Sequence, residues 1–312
     1  MHFLRRLLCL TVLAAVCACG RDAGQAESVQ GGHPVEAGPI GSVWVVDSQD
    51  TGGRLYLCGT IHILRKEDYP LAPAYEAAYS RSDKLVFELP PDAAKAGAAA
   101  RMTQLGTLPP GATLEAEVGS ETWSGVKKWC ASRGVPPFSM ARMRPWLASL
   151  MITNNEYAVL GASPDMGVDQ HFEKRARRDG KPGEGLETLE FQIQLFAGLS
   201  KELQRVMLDQ TLAEVGTLPE EYDKMIEAWK HGRLDDLQSM LFREAAKHPE
   251  LMEIFLAARN RAWMARLEDL LKKGERAMVL VGTGHFTAET GLLHLLKERG
   301  YLVRHYREMK ED

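Results

Sequence analysis

Two stretches of this 312-residue chain share one pattern: LYLCGTIH at 55–62 and MVLVGTGH, of which the last residue is His285. Each is an apolar run followed by Gly-Thr-x-His. A third apolar run, KLVFE, ends on Glu88. Ligands of α/β sheets sit beyond the carboxyl ends of the strands. If the three runs are parallel neighbours, His62, Glu88 and His285 are delivered to one rim. Two imidazoles and a carboxylate suit a divalent metal and leave positions open; Zn, Mn, Co and Fe all accept such donors. A metal held there would lower the pKa of water toward neutrality. Taken singly the features are weak, because a His after a strand is commonly a solvated loop residue and a strand-end Glu is commonly exposed. Gly59 and Gly282, which lack a Cβ, allow a sharp turn or a close backbone approach.

The elements needed to position these groups are legible in outline. Residues 42–48 and 54–58 read as a hairpin around Asp-Thr-Gly-Gly. A helix over 72–82 and a strand at 84–89 follow, an order that points to a βαβ unit with parallel pairing. The middle of the chain has helical periodicity: 120–132, 145–159, 167–178, 200–212, 219–231 and 249–273. Thr217 is placed to cap the helix that opens with Pro219. Strand order returns at 277–281, then a helix over 287–300 and a last strand at 302–305. The expected fold is α/β: a central mixed, mostly parallel sheet built from both chain ends, with a large helical block over about 92–275 inserted between them.

Composition is that of an ordinary globular chain, 45% hydrophobic and 26% charged, with net charge −4. No basic excess points to nucleic acid as a partner. The first residues read differently. A short basic start, an apolar run too short to span a bilayer, and Val16-Cys17-Ala18-Cys19 resemble an export signal with a lipobox over 1–19, the alternative being plain cleavage near Ala18 and release. Residues 20–41 are rich in Gly, Ala and polar groups and read as a tether. The expected product is a single domain over 42–312, exported to the periplasmic side and held at the outer membrane by a lipid on Cys19. Cys58 and Cys130 are left; Cys58 fits a buried thiol in a strand better than a disulfide partner.

The motifs GTIH (59–62), Glu88, Arg144-Pro145-Trp146, GVDQHF (167–172), GLET (185–188), Arg259-Asn260 with Trp263, and GTGH (282–285) fall in an order that resembles the TraB/GumN family. That family is related to the Tiki metalloproteases and more distantly to erythromycin-esterase and ChaN-like proteins. The resemblance spans about residues 42–308. It implies a metal-dependent peptidase using Mn²⁺ or Co²⁺, with His62, Glu88 and His285 as the ligand positions. One departure stands out: Ala288 occupies a place where the family often has Gly.

The remaining motif residues each have two readings. Glu187 is a further ligand or general base, or an acid at a helix start. Arg259 orients Glu88 or Glu187, binds a developing oxyanion, or makes a structural ion pair in mid-helix. Gln192 reaches the cleft from the next helix. Asp169 has a capping or network role, His171 is an ordinary helix residue, and Trp146 is core. The leading expectation is a metal-dependent hydrolase acting on a peptide or protein substrate outside the cytoplasm. The alternatives are a metal-free esterase-type hydrolase with His62 as base, and a lipoprotein that binds haem or a peptide without turnover.

Overall fold

A computed structural model describes residues 39–93, 97–245 and 248–308. The expected export signal, the expected lipid attachment at Cys19 and nearly all of the expected tether lie outside the described residues. Six strands form one mixed sheet: β1 (Val43–Asp47), β2 (Arg54–Thr60), β3 (Lys84–Phe87), β4 (Gly183–Gly185), β5 (Arg276–Gly282) and β6 (Leu302–His305). Their spatial order is β4-β3-β5-β2-β1-β6. β2, β3, β4 and β5 run parallel, and β1 is antiparallel to both β2 and β6. Chain-end strands thus interleave with early ones, as expected of a sheet built from both ends.

The register follows the period-2 alternation of the strands. Val43, Val45, Tyr56, Cys58, Leu85, Phe87, Met278 and Leu280 face one layer of helices, packing with Tyr75, Phe172, Tyr222 and Trp229. Trp44, Val46, Leu55, Leu57, Val86, Val279 and Val281 face the other, packing with Trp263, Leu267, Leu271 and Leu292. Burial on both faces is why β5 reads as an unbroken apolar run. β5 lies between β2 and β3, so the two strands of the βαβ unit are not neighbours and the end of the chain fills the gap between them. Gly183–Gly185, which carries no strand-like side chains, is a short edge strand on β3. The helical block has cores of its own, one around Trp146, Ile193, Phe196, Met207 and Phe255 and one around Trp123, Trp129, Ile152 and Leu208.

Several helix limits differ from the sequence expectation for physical reasons. Thr217 does not cap the helix Leu218–Lys230; its hydroxyl donates back to the Glu214 carbonyl. The expected helix 249–273 is three pieces: Pro249–Met252, a π-helical turn Glu253–Ala257, and Ala258–Lys272. The last helix spans only Leu292–Glu298, because a 3₁₀ turn at Thr283–Phe286 and a turn through Ala288 come first. Cys58 and Cys130 are free, buried thiols in different clusters. No helix among the described residues is long and apolar enough to cross a membrane.

Register also fixes where the chain enters and leaves. Val43 opposes Cys58 and Trp44 opposes His305, so β1 starts and β6 ends at the edge where β2 and β5 finish. Ala288 lies beyond that edge with φ of 64°, the left-handed region that L side chains avoid. Its N–H is held by Gln238 at 2.9 Å, which fixes the turn. Ala288→Gly relieves that strain at some entropic cost, and is expected to raise unfolding stability by about 1 kcal/mol. Denaturant titration measures this; a loss of stability would show that the turn is not under strain.

Candidate active site

The three strand-end groups meet. His62 follows β2 by two residues, Glu88 directly follows β3, and His285 lies in the 3₁₀ turn after β5. Because β5 pairs with both β2 and β3, the three ends are neighbours on one rim. Glu88 Oε1 lies 3.8 Å from His62 Nε2 and 3.8 Å from His285 Nε2. All three side chains are buried, His285 completely.

Small residues allow this convergence. A Cβ on Gly59 would lie 2.7 Å from Thr283 Oγ1, so β2 and β5 approach closely just before their histidines. Thr283 Oγ1 then donates to the Thr60 carbonyl at 3.0 Å, tying the two ends together. The Gly282 N–H donates to Glu88 Oε1 at 2.7 Å. Past β4 the parallel ladder runs on, with Leu186 N–H on the Phe87 carbonyl and Glu187 N–H on the Glu88 carbonyl, both at 2.9 Å. The two carboxylates therefore stand side by side.

Each imidazole is held from behind by its Nδ1. His62 Nδ1 lies 2.6 Å from Asp169 Oδ2. Asp169 is brought there by the helix Val168–Asp179, whose first N–H docks on the Ile61 carbonyl; Gly167 makes room, since a Cβ there would lie 2.3 Å from the His62 carbonyl oxygen. His285 Nδ1 lies 2.6 Å from Asn260 Oδ1, and the Asn260 amide nitrogen donates to the His285 and Thr290 carbonyls. Those carbonyls settle which way the amide points, so His285 Nδ1 carries the proton. In both rings Nε2 is thus turned toward Glu88. His62 Nε2 is buried without a hydrogen-bond partner.

Arg259 fills the space beneath. Its Nη2 donates to Glu88 Oε2 at 2.6 Å and Glu187 Oε1 at 2.5 Å, and its Nε donates to Glu187 Oε2 at 3.1 Å. Its Nη1 donates to the Phe255 carbonyl at 3.0 Å and to His285 Nε2 at 3.2 Å. Each of the three guanidinium nitrogens thus donates to at least one acceptor. Gln192 donates to Glu187 Oε1 at 2.7 Å and Glu88 Oε2 at 3.1 Å, and Trp263 donates to Glu187 Oε2 at 3.1 Å. Glu187 accepts four bonds and is not the helix cap; that role belongs to Thr188, whose hydroxyl accepts from Phe191 N–H. Asn260 and Trp263 are contributors whose roles the sequence left unassigned. Their signal was the i, i+1, i+4 spacing with Arg259, one helix face. Trp146 is core, and His171 lies outside the cluster, against Tyr69 and Phe172.

The two histidines have opposite electrostatics. Burial lowers the His62 pKa, but Asp169 and Glu88 outweigh it and raise it to about 9. Burial, Arg259 and His62 together push His285 well below its usual range. Burial also raises the Glu88 carboxyl, against the pull of Arg259 and His62.

A divalent ion about 2.1 Å from each of three tetrahedral ligands sets them about 3.4 Å apart. The two Nε2–Oε1 separations exceed that by a few tenths of an ångström. Among the described residues no group of three or more His, Cys, Asp or Glu is placed to hold a metal ion. The orphaned His62 Nε2, the tautomer of His285 and the nearness of Glu88 Oε1 to both rings are, in donor type, what a divalent metal takes.

An α/β sheet with Gly-Thr-x-His turns at two adjacent strand ends is the architecture in hand. The model of the TraB/PrgY/gumN family matches residues 42–305, and the chain belongs to that family. Among curated proteins, the chain is similar to "Uncharacterized protein YbaP" of Escherichia coli (strain K12) and to the protein of that name from Shigella flexneri. Each is 22% identical over 242 residues, which cover 78% of this chain and 87% of the relative. No solved structure matches.

The Asp169 contact makes stability depend on pH in the metal-free protein. A folded-state pKa of about 9 against an unfolded 6.5 means the His62–Asp169 contribution is complete below pH 6.5 and lost as pH rises through 9. It amounts to about 3 kcal/mol. Asp169→Asn is expected to remove most of this difference, measured as denaturant midpoints at pH 6.5 and 9.5. Equal pH dependence in both proteins would overturn the assignment.

Proposed function

We propose that the protein is a metal-dependent hydrolase of peptide or other acyl substrates outside the cytoplasm, tethered by a lipid on Cys19. The observation that carries this reading is Glu88 Oε1 standing 3.8 Å from two imidazole Nε2 atoms whose Nδ1 atoms are both held by side-chain oxygens. Such second partners fix ring orientation and turn Nε2 toward the place a metal would take. His62, Glu88 and His285 would hold the ion; Zn, Mn, Co and Fe all suit the donors. When bound, the metal supplies Lewis-acid polarisation and a more acidic water.

The chain's own residues do the rest. Asp169 and Asn260 orient the two rings. Arg259 fixes Glu88 through Oε2 and so directs Oε1 toward the histidines. Glu187 anchors Arg259 through two bonds; to move a proton as a general base it must release one of its four donors. Arg259 has no idle N–H for an oxyanion, which favours an orienting role. The Trp263 ring, 4.4 Å from that of His285, and the Arg259 guanidinium fill the ground a haem would need beside that histidine.

A second reading is favoured by one contact. His62 backed by Asp169 at 2.6 Å, with a bare Nε2, is the arrangement of a general acid–base pair, and would serve a metal-free esterase-type reaction.

Titration of the metal-stripped full chain with Zn²⁺, Co²⁺ or Mn²⁺ separates the two. One ion is expected to bind per chain, releasing about one proton, because His62 must lose its own. Affinity is expected to rise about tenfold per pH unit from neutrality and level off near pH 9. His62→Ala, Glu88→Ala and His285→Ala should each weaken binding more than about 100-fold. Absence of binding, together with hydrolysis that survives chelators but not His62→Ala, would move the assignment to the metal-free pair.

A further inference from the structure

A cavity of about 700 Å³ lies between the helix Pro73–Ser80 and the helix Val168–Asp179 and shares no residue with the candidate active site. That volume is in the range of small-ligand sites. The longer helix contributes His171, Lys174, Arg175 and Arg178, whose i, i+3, i+4, i+7 spacing puts them on one face. From Asp169 to that face is about half a turn round the helix, so the cavity and the His62 contact lie on different flanks. The shorter helix contributes Glu76. Tyr69 and Met166, tied by a 2.7 Å bond from the phenol to the carbonyl, line the cavity as well.

Arg175 is committed: it pairs with Glu76, and its guanidinium carbon lies 4.0 Å from the centre of the Tyr79 ring. That pairing also occupies Glu76. The other three polar groups of the face are less engaged. Lys174 donates to the Asp165 carbonyl at 3.2 Å; the Asp165 carboxylate is 3.7 Å away and mostly exposed, where an ion pair contributes little. Arg178 donates through Nε to Asp179 at 2.9 Å, and its Nη1 and Nη2 have no hydrogen-bond partner among the described residues. His171 is half-buried against Tyr69 and Phe172, and neither ring nitrogen has a hydrogen-bond partner among the described residues. Burial lowers the His171 pKa; Glu76 opposes this, and Arg175, Arg178 and Lys174 add to it.

We propose that this cavity is a second binding site, one that takes the phosphate group of a small molecule or a lipid headgroup. Arg178 offers its two Nη groups to two phosphate oxygens, a pairing that guanidinium geometry favours. Lys174 adds a point charge and His171 an N–H from the cavity wall. A carboxylate brings two oxygens to these three side chains, whereas phosphate brings an oxygen for each. Tyr69 and Met166 supply an apolar surface for the rest of the molecule that carries the phosphate.

The test uses the full chain with ¹⁵N-labelled histidine and, at one ionic strength, inorganic phosphate, dimethyl phosphate as a headgroup-like diester, and acetate. Inorganic phosphate is expected to move the His171 ring signals saturably, with a dissociation constant of about 1 mM or tighter. It should also raise the pH at which that ring titrates, because a neighbouring anion favours the imidazolium. Arg178→Gln and Lys174→Gln, both at exposed side chains, should each weaken binding about tenfold. Arg177→Gln, at an exposed side chain of the same helix outside the cavity, should leave it unchanged. Dimethyl phosphate binding as tightly as phosphate supports the site and points to a lipid headgroup as the source; weaker binding of the diester supports it with free phosphate or a monoester as the source. Absence of a saturable shift overturns the proposal, and so does acetate binding as tightly as phosphate. Equal weakening by Arg177→Gln overturns it too, because the anion would then be sensing only a diffuse field of charge.

Discussion

A single buried guanidinium holds the rim of this sheet together. Arg259 is about as inaccessible as a side chain can be, 1% exposed, and burial of an unpaired charge is prohibitive. Burial works against its charge, yet Glu88 and Glu187 outweigh that and hold its pKa above the usual range. Those carboxylates are themselves buried and depend on it. Removing one member of such a cluster typically costs about 3–5 kcal/mol, because the others are left without a counter-charge. The cluster is therefore all or nothing. It joins β3 through Glu88, the segment after β4 through Glu187, the helix Ala258–Lys272 through Arg259, and the turn after β5 through His285. The π-helical turn just before Arg259 sits where the helix must present Arg259, Asn260 and Trp263 together; such turns recur at functional sites.

The two histidines share a motif and a rim but differ in what stands behind them. A carboxylate backs His62 and a carboxamide backs His285. The first stabilises a charged ring and the second only orients a neutral one. Chain topology explains the difference: the partner of His62 comes from the start of a helix across the sheet edge, where Asp169 retains some exposure. The partner of His285 comes from a helix packed flat on the β2–β5 face, in surroundings where a second carboxylate would add charge to a site already holding two. Two identical sequence motifs thus become one basic and one non-basic nitrogen.

Much of this was legible because local pattern and tertiary role agree. The strands at 43–47, 84–87 and 302–305 and the helix Pro145–Val159 follow from their apolar periodicity, and the convergence of His62, Glu88 and His285 follows from placing them at strand ends. What was not legible depended on contacts across the chain. Gly183–Gly185 has no strand-like side chains; it is a strand because β3 offers it a free edge. The start of the last helix depends on how the His285 turn closes, and the π-helical turn leaves no trace in composition. Asn260 is a poor helix former beside a charged neighbour, and only the position of the His285 ring shows why it is there. Thr217 resembles a cap in sequence, but the preceding chain is still helical and its hydroxyl turns back.

The meeting of β1, β6 and the candidate site at one edge also governs how the protein can be handled. Segments spliced immediately before Ser42 or after His305 would emerge beside His62 and His285 and crowd whatever approaches them. The Asp50–Gly53 turn lies at the opposite edge, is largely exposed, and contains Gly52 with its backbone already in the left-handed region. A fluorophore, spin label or surface attachment placed in that turn leaves the rim open and measures distances down the full length of the strands.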